Sequence, residues 1–161
     1  MSEIMASLDD INAWLDSAAV DPDRAVVEAT DANTDLIQIS VARIIRGYLG
    51  RAYDTFLLAS WDTPDETPEL IRTVAGMLIA SQLYMDKISG QEYSIDDRHY
   101  AQILYDRAML LLNGILEGTL TILDPITGLP IIPVASTSLT ELDFWPIDDT
   151  DRAFTMALRL D

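Results

Sequence analysis

Apolar positions recur at helical spacing through most of the first 118 residues of this chain, and the pattern breaks after that point. Leu8, Ile11 and Leu15, with Trp14 beside them, form a stripe behind Ser7. Ser7 has the right chemistry for a helix N-cap, and Asp9 and Asp10 favour the first turn of the helix. The run from Pro22 to about Leu49 is compatible with one long helix or two, because "EATDANTD" is polar and weakly helical. Its second half is plainer: Ile37, Val41, Ile44, Ile45 and Tyr48 return at steps of three and four, which predicts an amphipathic helix. Gly47 and Gly50 loosen or end it.

The segment "ASWDTPDETPEL" has the turn chemistry of a loop, with Pro64 and Pro68 restraining the backbone. Thr67 is the expected cap of the next helix and Pro68 its first residue. Leu70, Val74, Met77, Leu78, Ser81, Tyr84 and Met85 make its buried face, and Ser89-Gly90 ends it. Asp96 or Asp97 is the expected cap of a last helix. Tyr100, Ile103, Leu104, Ala108, Leu111, Leu112 and Ile115 form its inner face, and Gly118 is its stop.

Beyond Gly118 the periodicity changes. "TLTIL", "DPITG" and "LPIIPV" read as strand, turn and Pro-interrupted strand, so a small hairpin is expected, at an edge because of Pro130 and Pro133. The linker-like "ASTSLTE" leads to "ELDFWPIDDTDRAFTMALRLD", which carries Phe144, Trp145, Ile147, Phe154, Met156, Leu158 and Leu160. Pro146 and the acids at 148, 149 and 151 do not suit one continuous helix, yet the apolar residues are too many for a solvated tail. Either this segment folds back on its own domain or it waits for another chain. The expected architecture is mainly α: a bundle of about four helices over residues 1–118, then a C-terminal arm over residues 119–161 that includes a short hairpin.

Composition narrows the function. A chain of 161 residues, 49% of them hydrophobic, is long and apolar enough for one real core. No apolar run approaches the ~20 residues of a membrane span. The opening "MSEIMASLDD" lacks the basic start and apolar centre of a secretory signal, so no export leader is expected. The absence of cysteine excludes disulfides and thiolate metal sites and fits a reducing compartment. A formal net charge of -17 repels nucleic-acid phosphates and argues against direct DNA or RNA binding. The charge is uneven. Residues 1–35 are strongly acidic against the single Arg24, whereas Arg43, Arg46 and Arg51 make a basic strip opposed by Asp54. Arg43 and Arg46, three apart on one helix, either pair with acids of their own chain or meet an acidic surface of a neighbouring subunit. With Arg51 they are the candidate inter-subunit contacts.

Enzyme signatures are missing. His99 is the only histidine, and with Asp96 and Asp97 it fits no standard metal-ligand spacing. It reads as an exposed residue in a first helical turn. "DDTDRA" lacks the central glycine and closing glutamate of a calcium loop. Gly47 and Gly50 have neither the preceding strand nor the Lys-Ser/Thr of a phosphate loop. No catalytic residue, metal or cofactor is expected.

Four pieces then coincide in order: "LDDINAWL", a helix ending "VARIIRGYLGRAY", a Pro-rich loop opening "PELIRTVAGMLIASQLYM", and "YAQILYDRAMLLLNGILEGTLTI". Over about residues 5–122 this order resembles the head–tail connector proteins of tailed bacteriophages, variously called adaptor, neck or head-completion proteins. Tyr48, Leu49 and Tyr53 match a Tyr-Leu element closing one helix. Pro68 to Tyr84 match a proline-opened helix with a small-residue seam, and Tyr105, Ala108, Leu112 and Gly118 match the last helix. The segment 119–161 matches no such pattern, and the run 22–49 is longer than the family's.

The resemblance implies a structural protein of the virion neck, assembled in the host cytoplasm. It would form a ring, commonly a dodecamer, between the portal protein above and a stopper or tail-completion protein below. Genomic DNA would pass through without specific binding, and an acidic lumen would let it slide. Terminal arms in that family dock on the portal, which makes Phe144, Trp145, Ile147, Phe154, Met156 and Leu158 the candidate docking residues. Two other readings stand beside it: an acidic DNA mimic that inhibits a nucleic-acid enzyme, and another neck or tail-completion protein. A small enzyme of unknown type is the least supported.

Overall fold

The computed structural model describes residues 4–15, 29–88 and 95–134. Among them are five helices, α1 (Leu8–Leu15), α2 (Asp31–Leu49), α3 (Thr55–Ala59), α4 (Glu69–Ile88) and α5 (Ile95–Leu116). A two-stranded antiparallel sheet, β1 (Ile122–Leu123) with β2 (Pro130–Ile131), follows α5. The mainly helical bundle with a C-terminal hairpin is therefore as the residue pattern predicts. The acidic tail and its apolar side chains lie outside the described residues.

Helix α4 is the centre of the bundle and packs against α5, α1 and α2. Ile71, Val74, Ala75, Met77, Leu78, Ile79, Ala80, Leu83 and Tyr84 are all buried along it. Burial on nearly every side, rather than along one stripe, is what a central helix requires. Small residues let its neighbours come close. A Cβ built on Gly76 would stand 2.9 Å from the Asp10 carbonyl oxygen and 3.2 Å from Trp14 Cδ1. Glycine here is what allows α1 to lie directly on α4. On the other side Ser81 Oγ donates to the Ala101 carbonyl at 2.8 Å, which removes a buried hydroxyl's desolvation cost and pins α4 to α5.

The caps follow local chemistry. Ser7 Oγ accepts the Asp10 amide at 3.1 Å, and Asp10 Oδ2 accepts the Ser7 amide at 2.9 Å, a reciprocal pair that satisfies two otherwise unpaired donors of α1. Asp54 Oδ1 accepts the Phe56 amide and starts α3, a short helix that the sequence pattern does not reveal. Thr67 is not the cap of α4. Its hydroxyl donates to the Thr63 carbonyl at 2.8 Å inside the loop, and the Pro68 carbonyl accepts the first helical bond, from Arg72. Asp96 and Asp97 likewise do not precede α5 but lie within its first turn, since the helix begins at Ile95. At the other end Gly118 adopts φ +74, its amide bonds the Ile115 carbonyl, and the Thr119 amide bonds the Gly114 carbonyl. That is a Schellman stop, and its left-handed residue favours glycine.

The predicted inner faces are right in direction and wrong at their margins. Val41, Ile45, Val74, Leu78, Leu104, Ala108, Leu112 and Ile115 are buried. Ile44, Met85 and Ile103 are exposed instead, each standing at the edge of its stripe. The inner face of α2 includes Thr34 and Gln38, two polar residues that the apolar pattern skips. Trp61, in the loop between α3 and α4, is 1% exposed and among the largest buried side chains, so this loop closes one end of the core.

Candidate interaction surface

The C-terminal hairpin is held to the body from inside and apolar on its outside. After the stop at Gly118, Leu120 covers Gly114, and Ile122 enters the core, fully buried. Strand alternation then turns Leu123 outward. Residues 119–134, expected to be the first part of a separate arm, thus contribute Ile122 to the same core as α4, with Leu120 and Ile131 packed against it.

Asp124 builds the turn. Its Oδ1 accepts the Ile126 amide at 2.9 Å, the Thr127 amide at 2.7 Å and the Thr127 hydroxyl at 3.0 Å. Its backbone accepts from Gly128 and donates to Leu129. The Thr127 amide first, then the Thr127 hydroxyl and the Ile126 amide, hold the Asp124 carboxyl below its ordinary value, against the opposing effect of desolvation. On this frame stand Leu123, Ile126, Leu129, Ile132 and Val134, exposed by 53%, 83%, 65%, 80% and 55%. Five exposed apolar side chains between residues 123 and 134, on and just after one hairpin, differ from scattered exposed residues such as Leu36, Phe56 and Leu110. Their clustering is what marks an interaction surface.

Beside the hairpin lies a groove of about 680 Å³. Pro64, Asp65 and Thr67 of the loop and Glu69, Leu70, Arg72 and Thr73 of α4 form one wall. Thr121, Leu123, Asp124, Pro125 and Gly128 form the other. Arg72 Nε is buried and has no acceptor among the described residues. The sequence pattern does not single out this groove, because it arises only where β1 is laid across the start of α4.

The basic strip divides. Arg46 is engaged within its own chain. Its Nε donates to the Leu58 carbonyl at 3.0 Å, and its Nη2 donates to the Trp61 carbonyl at 3.0 Å and to Asp62 Oδ1 at 2.7 Å. It clamps the loop that follows α3 and so works as a structural residue. Arg51 lies over the Tyr48 ring, with Cζ 5.5 Å from the centroid, and Arg43 is exposed on α2. The candidate docking residues Phe144, Trp145, Ile147, Phe154, Met156 and Leu158 lie outside the described residues. His99 is exposed on α5, and no cluster of metal-ligating side chains occurs among the described residues. Among the described residues no helix is long and apolar enough to cross a membrane.

Comparison with known proteins finds no family model, no curated protein and no solved structure that matches this chain.

Proposed function

We propose that this chain is a structural assembly protein of the tailed-phage head–tail connector type, forming a ring between a portal and a stopper or tail-completion protein. The observation that carries the reading is the hairpin. Its outer apolar face, from Leu123 to Val134, runs directly into residues 135–161, where Phe144, Trp145, Phe154 and their neighbours supply further large apolar groups. A chain of net charge -17 that keeps such a face in water is built to cover it with another protein. Aromatic anchors at such a surface carry much of the binding energy. The order of helical segments from residue 5 to 122 supports the choice of family, and the acidity suits a wall past which DNA must slide without being gripped.

The test is a pull-down of portal protein with wild type, an Ile126→Asp/Ile132→Asp double variant and Trp145→Ala, with circular dichroism as the folding control. Wild type is expected to bind portal and to form a ring on it, seen by light scattering. The double variant keeps its helicity and loses binding, and Trp145→Ala weakens it by about 2 kcal/mol or more. A tight dimer indifferent to portal, or undiminished portal binding by all three folded proteins, overturns the proposal.

A further inference from the structure

The groove between β1 and the start of α4 has the chemistry of a strand-acceptor site. We propose that it receives an extended, basic segment of a partner protein, which adds to β1 as a further strand. The register decides where the backbone groups of β1 point. Asp124 N bonds Leu129 O, so Asp124 and Leu129 are a hydrogen-bonded pair, and Ile122 with Ile131 is the next one along. Leu123, opposite Pro130, is the non-bonded position between them, which is why a proline fits there. The N–H and C=O of Leu123, and those of Thr121 before it, are therefore directed away from β2. Among the described residues no strand pairs with that edge. The groove lies along it: its walls include Thr121, Leu123 and Asp124 and no residue of β2.

The rest of the groove supplies side-chain recognition. Leu70, Pro64, Pro125 and Leu123 give apolar walls, and Arg72 lines the groove with a buried Nε–H that has no acceptor among the described residues. Charge selects the occupant. Asp65, Glu69 and Asp124 outnumber Arg72 around the groove, which favours lysine or arginine on the incoming strand. The chain's own residues 135–161 are a poor match, with Glu141, Asp143, Asp148, Asp149, Asp151 and Asp161 against Arg152 and Arg159. Among the described residues a second copy is no better: Arg43 and Arg46 are on α2, Arg72 and Lys87 on α4, Arg98 and Arg107 on α5, and Arg51 is in the turn after α2, over the Tyr48 ring. Strand addition of this kind draws affinity from main-chain hydrogen bonds and specificity from alternate side chains. The proposal stands independently of the connector reading.

The experiment titrates the full ¹⁵N-labelled chain with a six-residue peptide of alternating valine and lysine, followed by NMR. The amides of Thr121 and Leu123 and the Nε–H of Arg72 are expected to shift together and saturably. In the chain alone the Thr121 and Leu123 amides exchange rapidly with solvent. Methylating the peptide nitrogens that face β1, or replacing its lysines by glutamate, weakens binding by about tenfold or more. An Asp65→Lys/Glu69→Lys double variant, altered only at exposed positions, reverses the lysine-over-glutamate preference. Four results overturn the proposal. They are no shift at millimolar peptide, shifts confined to the outer face around Ile126 and Ile132, indifference to nitrogen methylation, and slow exchange of the Thr121 and Leu123 amides before any peptide is added.

Discussion

Tyr84 of α4 and Tyr100 of α5 meet edge to face, with ring centroids 5.4 Å apart, and both hydroxyls reach the end of α1. Tyr84 donates to the Leu15 carbonyl at 3.1 Å and Tyr100 to the Trp14 carbonyl at 3.0 Å. The last carbonyls of a helix have no partner within it, and here two helices supply the donors from their sides. One aromatic pair thus joins three helices. Tyr84→Phe should cost about 1–3 kcal/mol, because it leaves a buried carbonyl unsatisfied, and Tyr100→Phe less, because that hydroxyl is only half-buried. Chemical denaturation of both singles and the double checks this. The pair should couple, so the double variant should not equal the sum of the singles.

Gly76 sets the distance between α1 and α4. Alanine is the better helix former by about 1 kcal/mol, so propensity alone predicts that Gly76→Ala stabilises. The built Cβ falls 2.9 Å from the Asp10 carbonyl oxygen, which is backbone and cannot rotate away. Gly76→Ala should therefore lower the melting temperature, with a net loss of about 1–3 kcal/mol. A stabilised variant would mean that α1 is not held this closely.

Arg46 separates structure from assembly. Arg46→Lys keeps the charge but not the fork that bonds Leu58, Trp61 and Asp62 together. It should cost about 1–2 kcal/mol in denaturant melts of the isolated chain. Arg51→Lys should change that stability little and serves as the control.

The core follows the usual cost of cavities. Leu78 and Leu112 are buried in α4 and α5, and truncating either to alanine should cost about 2–5 kcal/mol by thermal or chemical melts. Leu110→Ala, at a position 71% exposed on the same helix as Leu112, should stay within about 0.5 kcal/mol.

Two groups give the stability a pH dependence of known sign. The Asp124 carboxyl is held below its ordinary value by Thr127 and Ile126. Its contribution is present above the unfolded pKa and is lost as pH falls through the lower folded one. The hairpin amides at 126 and 127 should lose their low-field positions in that acid range, and Asp124→Ala should abolish the transition. Burial pushes the Tyr53 hydroxyl above its ordinary value. That contribution is intact below the unfolded tyrosine pKa and is lost as pH rises through the folded one. Alkaline destabilisation beginning near about pH 10 should be smaller in Tyr53→Phe.

The sequence by itself determined the four longer helices and their approximate inner faces, though not the short α3, because a three-to-four-residue apolar rhythm is a local property that each segment states alone. It also determined the hairpin, since its turn is built within five residues by Asp124, Thr127 and Gly128. Ser7 and Gly118 were legible for the same reason: a cap depends on its own helix end. Tertiary structure decided the rest. Thr67 lost its capping role to a loop bond with Thr63, and Ile44, Met85 and Ile103 fell outside the core because the neighbouring helices cover a narrower sector than the apolar stripes offer. The role of Arg46 as a clamp depends on where residues 58–62 pass, 12 to 16 positions away in sequence. The groove exists only because Ile122 is inserted beside α4, some fifty residues after Arg72. Contacts at that separation follow from how faces pack against one another, which no local rhythm of apolar and polar residues encodes.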